Sequence, residues 1–174
     1  MSITQKQADY SARLALWTGE HWSAVRGFVL ALVFRDDVAD DLAQETFRRA
    51  MESVDKYTET GRARSYLLKI ADRLVIDHVR RVRRELTIDE ASWSHVAAAD
   101  VDSDPARRIA QHEARQQLNE ALAMLSADQR RVLLLRYYSD MKFSEIAETM
   151  QCPLNTVLSH CRRGLLAMRE KLST

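Results

Sequence analysis

Apolar residues recur every three or four positions along almost the whole chain, a spacing that leaves room for little besides helix. Leu14, Trp17, Trp22, Val25, Phe28, Val29, Leu32 and Val33 form one such stripe, the mark of a helix with one buried face. Val38, Leu42, Thr46 or Phe47, Ala50 and Val54 form a second, behind Asp36 and Asp37; acids in a first turn suit the positive end of the helix dipole. Helix breakers are scarce, with four Gly and two Pro in 174 residues. Gly61 is the only Gly between positions 28 and 163, so residues 57–63 read as a loop. Ser65 is then expected to open a long helix reaching about Arg84.

Residues 86–106 have a different character. They hold no Lys or Arg, but contain Asp89, Glu90, Asp100, Asp102, Asp104 and Pro105. A structureless stretch of that length is uncommon inside one compact domain, so it is expected to join two. Helical periodicity resumes beyond it, through Leu118, Leu122 and Leu125, Val132 to Tyr138, and Phe143, Ile146, Ala147 and Met150. The expected fold is all-α: two small helical domains, 1–85 and 107–174, joined by an acidic flexible linker, 86–106.

Cys152 and Cys161 are too few for a disulfide framework and suit a reduced compartment. The first seven residues lack the basic and apolar regions of a signal peptide, and no apolar run approaches a membrane span. The expectation is a soluble, cytoplasmic chain without membrane insertion. Paired catalytic carboxylates, a nucleophile triad and a Gly-rich phosphate loop are all missing, so no enzyme, small-molecule substrate or cofactor is expected. Cys152, His160 and Cys161 lack a fourth ligand and the Cys-x-x-Cys spacing, so no metal is expected either.

Three segments carry charge in ways that bear on function. From Phe143 to Arg163 the chain has helix-turn-helix form, with a break around Cys152-Pro153 and Asn155 or Thr156 able to cap the second helix. On that second helix Val157, Cys161, Gly164, Leu165, Met168 and Leu172 fall on one face, expected to be packed. Asn155, Leu158, Ser159, Arg162 and Arg163 fall on the other, where they suit a DNA major groove. A plain helical hairpin with solvated arginines is the competing reading.

The helix from Ser65 to Arg84 places Lys69, Arg73, Arg80, Arg83 and Arg84 on one side and Leu67, Ile70, Ala71, Leu74, Val75 and Val82, with His78, on the other, Ile76 being an exception inside the basic face. Arg73 and Arg81 could each pair with Asp77 at four-residue spacing. Yet from Arg62 to Arg84 eight basic residues face two acids, Asp72 and Asp77. The excess favours a polyanion, which such a stripe would bind with release of counterions. The loop before it, with Tyr57, Thr58, Arg62 and Arg64, has the aromatic and cationic groups that hold unpaired bases.

A third segment is acidic. Asp36, Asp37, Asp40, Asp41 and Glu45 lie together, with Asp37, Asp40, Asp41 and Gln44 on one helical face. Such a face repels DNA; it is either a dock for a basic protein or an ordinary solvated surface.

Together these segments resemble the extracytoplasmic-function (ECF) sigma factors. The residues that carry the resemblance are Asp40-Asp-Leu-Ala-Gln-Glu-Thr-Phe47, Ser65 through Arg81, and Leu125 through the helix-turn-helix, in the family's order and spacing. The resemblance implies a non-enzymatic subunit that binds core RNA polymerase and promoter DNA and directs specific initiation. It implies that Asp37, Asp40, Asp41, Gln44 and Glu45 dock on the polymerase. It implies that Thr58, Arg62, Arg64, Lys69, Arg73, Arg80 and Arg84 melt and hold the −10 element. The −35 element falls to Asn155, Thr156, Leu158, Ser159, Arg162 and Arg163. An anti-sigma factor is a further partner common in the family. The chain departs from the family pattern at Tyr66, where Trp is usual, at Arg73, where Asn is frequent, and at Asn155, Leu158 and His160, which replace Gly, a basic residue and Arg.

Overall fold

The computed structural model describes residues 3–54, 57, 61–85 and 105–173, and the side chains of the first and fourth helices from Tyr10 and Glu113 onward. The chain divides into two units, Met1–Ser94 and His95–Thr174, each with its own core. Among the described residues the regular structure is entirely helical. Most of the stretch expected to be the acidic linker, 86–104, lies outside the described residues, as does Thr58.

The first unit is built from α1 (Ile3–Val33), α2 (Asp36–Glu52) and α3 (Ala63–Glu85). Phe34 ends α1 in the left-handed region at φ 55, and its N–H closes on the Leu30 carbonyl at 2.8 Å. That reversal aims α2 back along α1. The stripe predicted on α1 is the core-facing one, with Trp17, Val25, Phe28, Val29 and Val33 buried. α2 answers with small residues, Ala39, Ala43 and Ala50, all buried, so its neighbours can approach closely. Phe47 fills the remaining space and stacks on Trp22, centroids 5.9 Å apart. Leu67, Leu68, Ala71, Leu74 and Val75 of α3 complete the core. α3 begins at Ala63, two residues before the expected start at Ser65.

The second unit comprises α4 (Pro105–Ala123), α5 (Ala127–Leu133), a π-helical segment (Leu134–Tyr138), α6 (Phe143–Met150) and α7 (Leu154–Leu172). Ser126 and Gln129 form a reciprocal capping box at the start of α5: Gln129 N–H donates to Ser126 Oγ at 3.3 Å, and Ser126 N–H donates to Gln129 Oε1 at 3.1 Å. Arg130 then turns inward. Its guanidinium donates to the carbonyls of Leu122 at 2.7 Å, Leu125 at 3.1 Å and Ala123 at 3.3 Å, gathering the carbonyls at the end of α4. Burial pushes Arg130 down to about 10, so it stays cationic at neutral pH against the negative end of that helix. Val132, Leu135, Met141, Ile146 and Val157 fill the core beside it, all fully buried.

Gly164 of α7 sits where α7 meets α5. A Cβ there would lie 3.0 Å from Leu133 Cδ1. Gly164→Ala should be close to neutral, since the gain in helix propensity, up to about 1 kcal/mol, offsets a small squeeze on Leu133. Gly164→Val should destabilise the second unit by about 1–3 kcal/mol through overpacking. Urea unfolding of the two variants measures the difference; a valine variant as stable as the alanine one would show that this contact is not tight.

Candidate nucleic-acid interface

The cationic face of α3 is on the surface. Arg73, Arg80, Arg83 and Arg84 are exposed and Lys69 is half-buried, while the apolar face turns into the core. The pairing considered between Asp77 and Arg73 or Arg81 does not form among the described residues. Arg81 Nη2 instead lies 3.4 Å from His78 Nδ1, and burial together with the Arg81 charge lowers the His78 pKa. Asp77 shares an open recess of about 590 Å3 with Arg80, Arg83 and Arg84. The other acid counted against the stripe, Asp72, is fully buried. The exposed face of α3 is therefore more cationic than its composition suggests.

Arg62 and Arg64, just before and just inside α3, are exposed. Gly61 takes φ +71, a conformation that favours glycine. An aromatic cluster absent from the sequence reading anchors the chain here. Tyr57 packs edge-on against Trp17 of α1, centroids 5.1 Å apart, and lies tilted against Tyr66 of α3 at 4.7 Å. Tyr66 also contacts Trp17 at 5.9 Å, and its hydroxyl meets Ser53 Oγ at 2.7 Å. Both ends of the loop are thus tied to one cluster. The signal available in the sequence was only the presence of three aromatics, whose separations along the chain match no helical repeat.

On α2 the acids are not one uniform negative face. Arg26 of α1 reaches across and donates from Nη2 to Asp36 and from Nε to Asp40, each at 2.6 Å. Arg35 pairs with Asp37 and holds its carboxyl below the usual range. Glu45 receives Arg48 and Arg49, which hold it down to about 2, and Arg48 also pairs with Glu52. Asp41 and Gln44 are exposed, and Asp41 makes no ion pair among the described residues. Of the five residues expected to form the docking face, three carry internal partners.

The helix-turn-helix forms as expected, with one change in its hinge. α6 ends at Gln151, which adopts the left-handed conformation at φ 53, and Cys152 N–H returns to the Ala147 carbonyl at 3.1 Å. The residue capping α7 is Pro153, and no side chain caps the helix. Asn155 and Thr156 lie inside the first turn instead. Pro153, at φ −58 and ψ 145, turns its carbonyl toward the helix, where it accepts from Thr156 N–H at 2.9 Å and Val157 N–H at 3.3 Å.

The packed face of α7 is narrower than periodicity predicted. Val157, Cys161 and Gly164 are buried, but Leu165 is 43% and Leu172 50% exposed. α4, α5 and α6 all pack on α7, and Lys171 near its end pairs with Glu120 of α4 at 3.5 Å, yet none of the three covers these two leucines. Asn155, Leu158, Ser159, Arg162 and Arg163 are exposed together, and Thr156 is half-buried beside them. Arg163 Nε donates back to the Ser159 carbonyl at 3.3 Å. Cys152 and Cys161 are free thiols, and among the described residues no cluster of three or more His, Cys, Asp or Glu side chains could hold a metal. No helix among them is long and apolar enough to cross a membrane.

Comparison with known proteins bears on both units. The sigma-70 region 2 model matches residues 19–85 and the sigma-70 region 4 model matches residues 115–168. The ECF RNA polymerase sigma factor EcfG of Rhodopseudomonas palustris is 30% identical over 150 residues, 86% of this chain and 77% of the relative. The chain belongs to the ECF sigma factors of the sigma-70 family. Within that family, a probable RNA polymerase sigma-C factor of Mycobacterium bovis is 35% identical over 127 residues, 72% of this chain. The chain spans 65% of the length of that mycobacterial relative. Among solved structures, the sigma factor RpoE in complex with the anti-sigma factor NepR from Bartonella quintana matches with a TM-score of 0.72 and 25% identity, covering 95% of this chain and 98% of that one.

Proposed function

We propose that this ECF family member is a working RNA polymerase sigma factor: it binds core polymerase, acts in the cytoplasm and directs initiation at promoters by recognising −10 and −35 elements. It works by binding, without a catalytic site of its own. Residues 1–85 form the region 2 domain, 86–106 the linker and 107–174 the region 4 domain. The observation that carries the reading is the division of labour between neighbouring helices. α3 exposes a cationic face and α2 a face of acids, many of them already organised by arginines. A lone DNA-binding regulator has no use for the second beside the first.

In this reading Thr58, Arg62, Arg64, Lys69, Arg73, Arg80 and Arg84 hold the −10 strand. Asn155, Thr156, Leu158, Ser159, Arg162 and Arg163 read the −35 duplex. Asp37, Asp40, Asp41, Gln44 and Glu45 form the polymerase dock, with Asp41 and Gln44 at its accessible centre. An anti-sigma factor is a natural antagonist, as the Bartonella quintana complex illustrates for that protein.

Purified chain added to core polymerase should direct specific initiation from promoter DNA. Binding to a palindromic operator without polymerase, and no initiation with it, would overturn the reading. Asp41→Lys should abolish co-elution with core polymerase while leaving the helical circular dichroism unchanged, because Asp41 is exposed. Retained co-elution would remove α2 as the docking face.

A further inference from the structure

We propose that Leu154 and Leu158 of α7 form an apolar edge that reads the 5-methyl groups of thymines in the −35 duplex. This deepens, and rests on, the sigma-factor reading of α7. Large apolar side chains on a helix are usually buried against a neighbour, yet Leu154 is 44% and Leu158 41% exposed. They sit four residues apart and so lie one above the other on the same side of the helix.

Their neighbours make that side a DNA-facing one. On a wheel at 100° per residue, Leu154, Leu158, Arg162, Asn155 and Ser159 fall within about 140° of arc. The buried Val157, Cys161 and Gly164 occupy about 60° of arc next to this one, Cys161 lying about 20° from Leu154. Asn155 and Ser159 supply hydrogen-bonding groups and Arg162 a charge-assisted donor, all exposed. The leucines occupy the margin between these groups and the core.

In the major groove the group that rewards an apolar contact is the thymine 5-methyl, the one apolar feature that separates T·A from the other pairs there. The rise from Leu154 to Leu158 is about 6 Å. Two base-pair steps span about 6.8 Å at 3.4 Å each. The edge is therefore matched to methyl groups on neighbouring or next-neighbouring base pairs. Leu165 and Leu172 prolong the same edge, but Leu165 lies about 10 Å further along the axis than Leu158, toward the end that a recognition helix keeps away from the bases.

The test uses the full chain assembled with core polymerase. Sites are selected from a duplex library randomised across the −35 region, and each recovered site is then made with thymine or with deoxyuridine, which lacks only the methyl. Deoxyuridine should weaken binding about fourfold for each methyl contacted, the equivalent of one buried CH2 group. Leu158→Ala and Leu154→Ala should each erase one such step, and the double variant should bind both duplexes equally. Equal affinity of the original chain for thymine and deoxyuridine duplexes overturns the proposal while leaving the sigma-factor reading intact. So does discrimination that survives both substitutions. Loss of polymerase binding in either variant also overturns it, since the leucines would then dock on protein. Recovery of no preferred site at all overturns the −35 reading of α7 and this inference with it.

Discussion

Replacing Arg73, Arg80 and Arg84 together with alanine should reduce the salt dependence of −10 strand binding by roughly two to three units of slope in log K against log salt. Each phosphate contact contributes about 0.7 to that slope on a single strand and about 0.9 on duplex DNA. At about 0.1 M salt, losing three contacts corresponds to a drop in affinity on the order of a hundredfold. The three side chains are exposed, so their removal leaves the core of the first unit untouched. Fluorescence anisotropy of a labelled −10 oligonucleotide with the reconstituted holoenzyme, titrated across salt, measures both numbers. An unchanged slope would mean that the α3 stripe does not lie along phosphates, whatever the affinity.

The largest effect on stability is expected from Phe28→Ala. Phe28 is the largest fully buried side chain among the described residues. Truncating a buried phenylalanine costs about 3–5 kcal/mol from lost burial and the cavity left behind. Against a typical total of about 5–15 kcal/mol for a domain, that removes much of the margin holding the first unit folded. Two of the three tryptophans, Trp17 and Trp22, belong to α1, so tryptophan fluorescence in urea reports mainly on this unit. The midpoint should fall steeply with little change in slope. A midpoint within experimental error of the original chain would show that the cavity collapses without cost and that Phe28 is not central to the core.

Much of the architecture was legible because its signals are local. Along the stripe from Trp17 to Val33, Trp17, Val25, Phe28, Val29 and Val33 are buried and Trp22 and Leu32 half-buried, and the helix-turn-helix breaks at Cys152-Pro153 as read. Helix ends were less certain. Asn155 and Thr156 have the chemistry of caps, yet Pro153 holds the capping position, because its backbone carbonyl meets the first amides of α7 and leaves both residues inside the helix. The sequence also overestimated the packed face of α7. Periodicity ranks Leu165 and Leu172 with Val157, but burial needs a neighbour on that side of the helix, and although α4, α5 and α6 all pack on α7, none covers these two leucines.

The candidate sites divide in the same way. That α3 is cationic and α2 acidic follows from composition along two segments and was fully visible in the order of residues. Which of those charges face outward was not. Asp40 is held by Arg26, fourteen residues earlier in the chain, and Asp72 looks from its spacing like a surface counterion but is buried. The cluster of Trp17, Tyr57 and Tyr66 joins residues far apart in sequence.

By itself, then, the order of amino acids determined the helical class, the sign of charge on each helix and the place of the turn-separated pair at the C-terminal end, since each depends on residues within a few turns of one another. Tertiary structure alone decided that Arg26 of α1 holds Asp36 and Asp40 of α2, where the buried Arg130 gathers the carbonyls ending α4, and which leucines stay in solvent. Those outcomes depend on which helix faces meet, and the meeting is settled by how the cores fill, a sum over the whole unit that no local spacing contains.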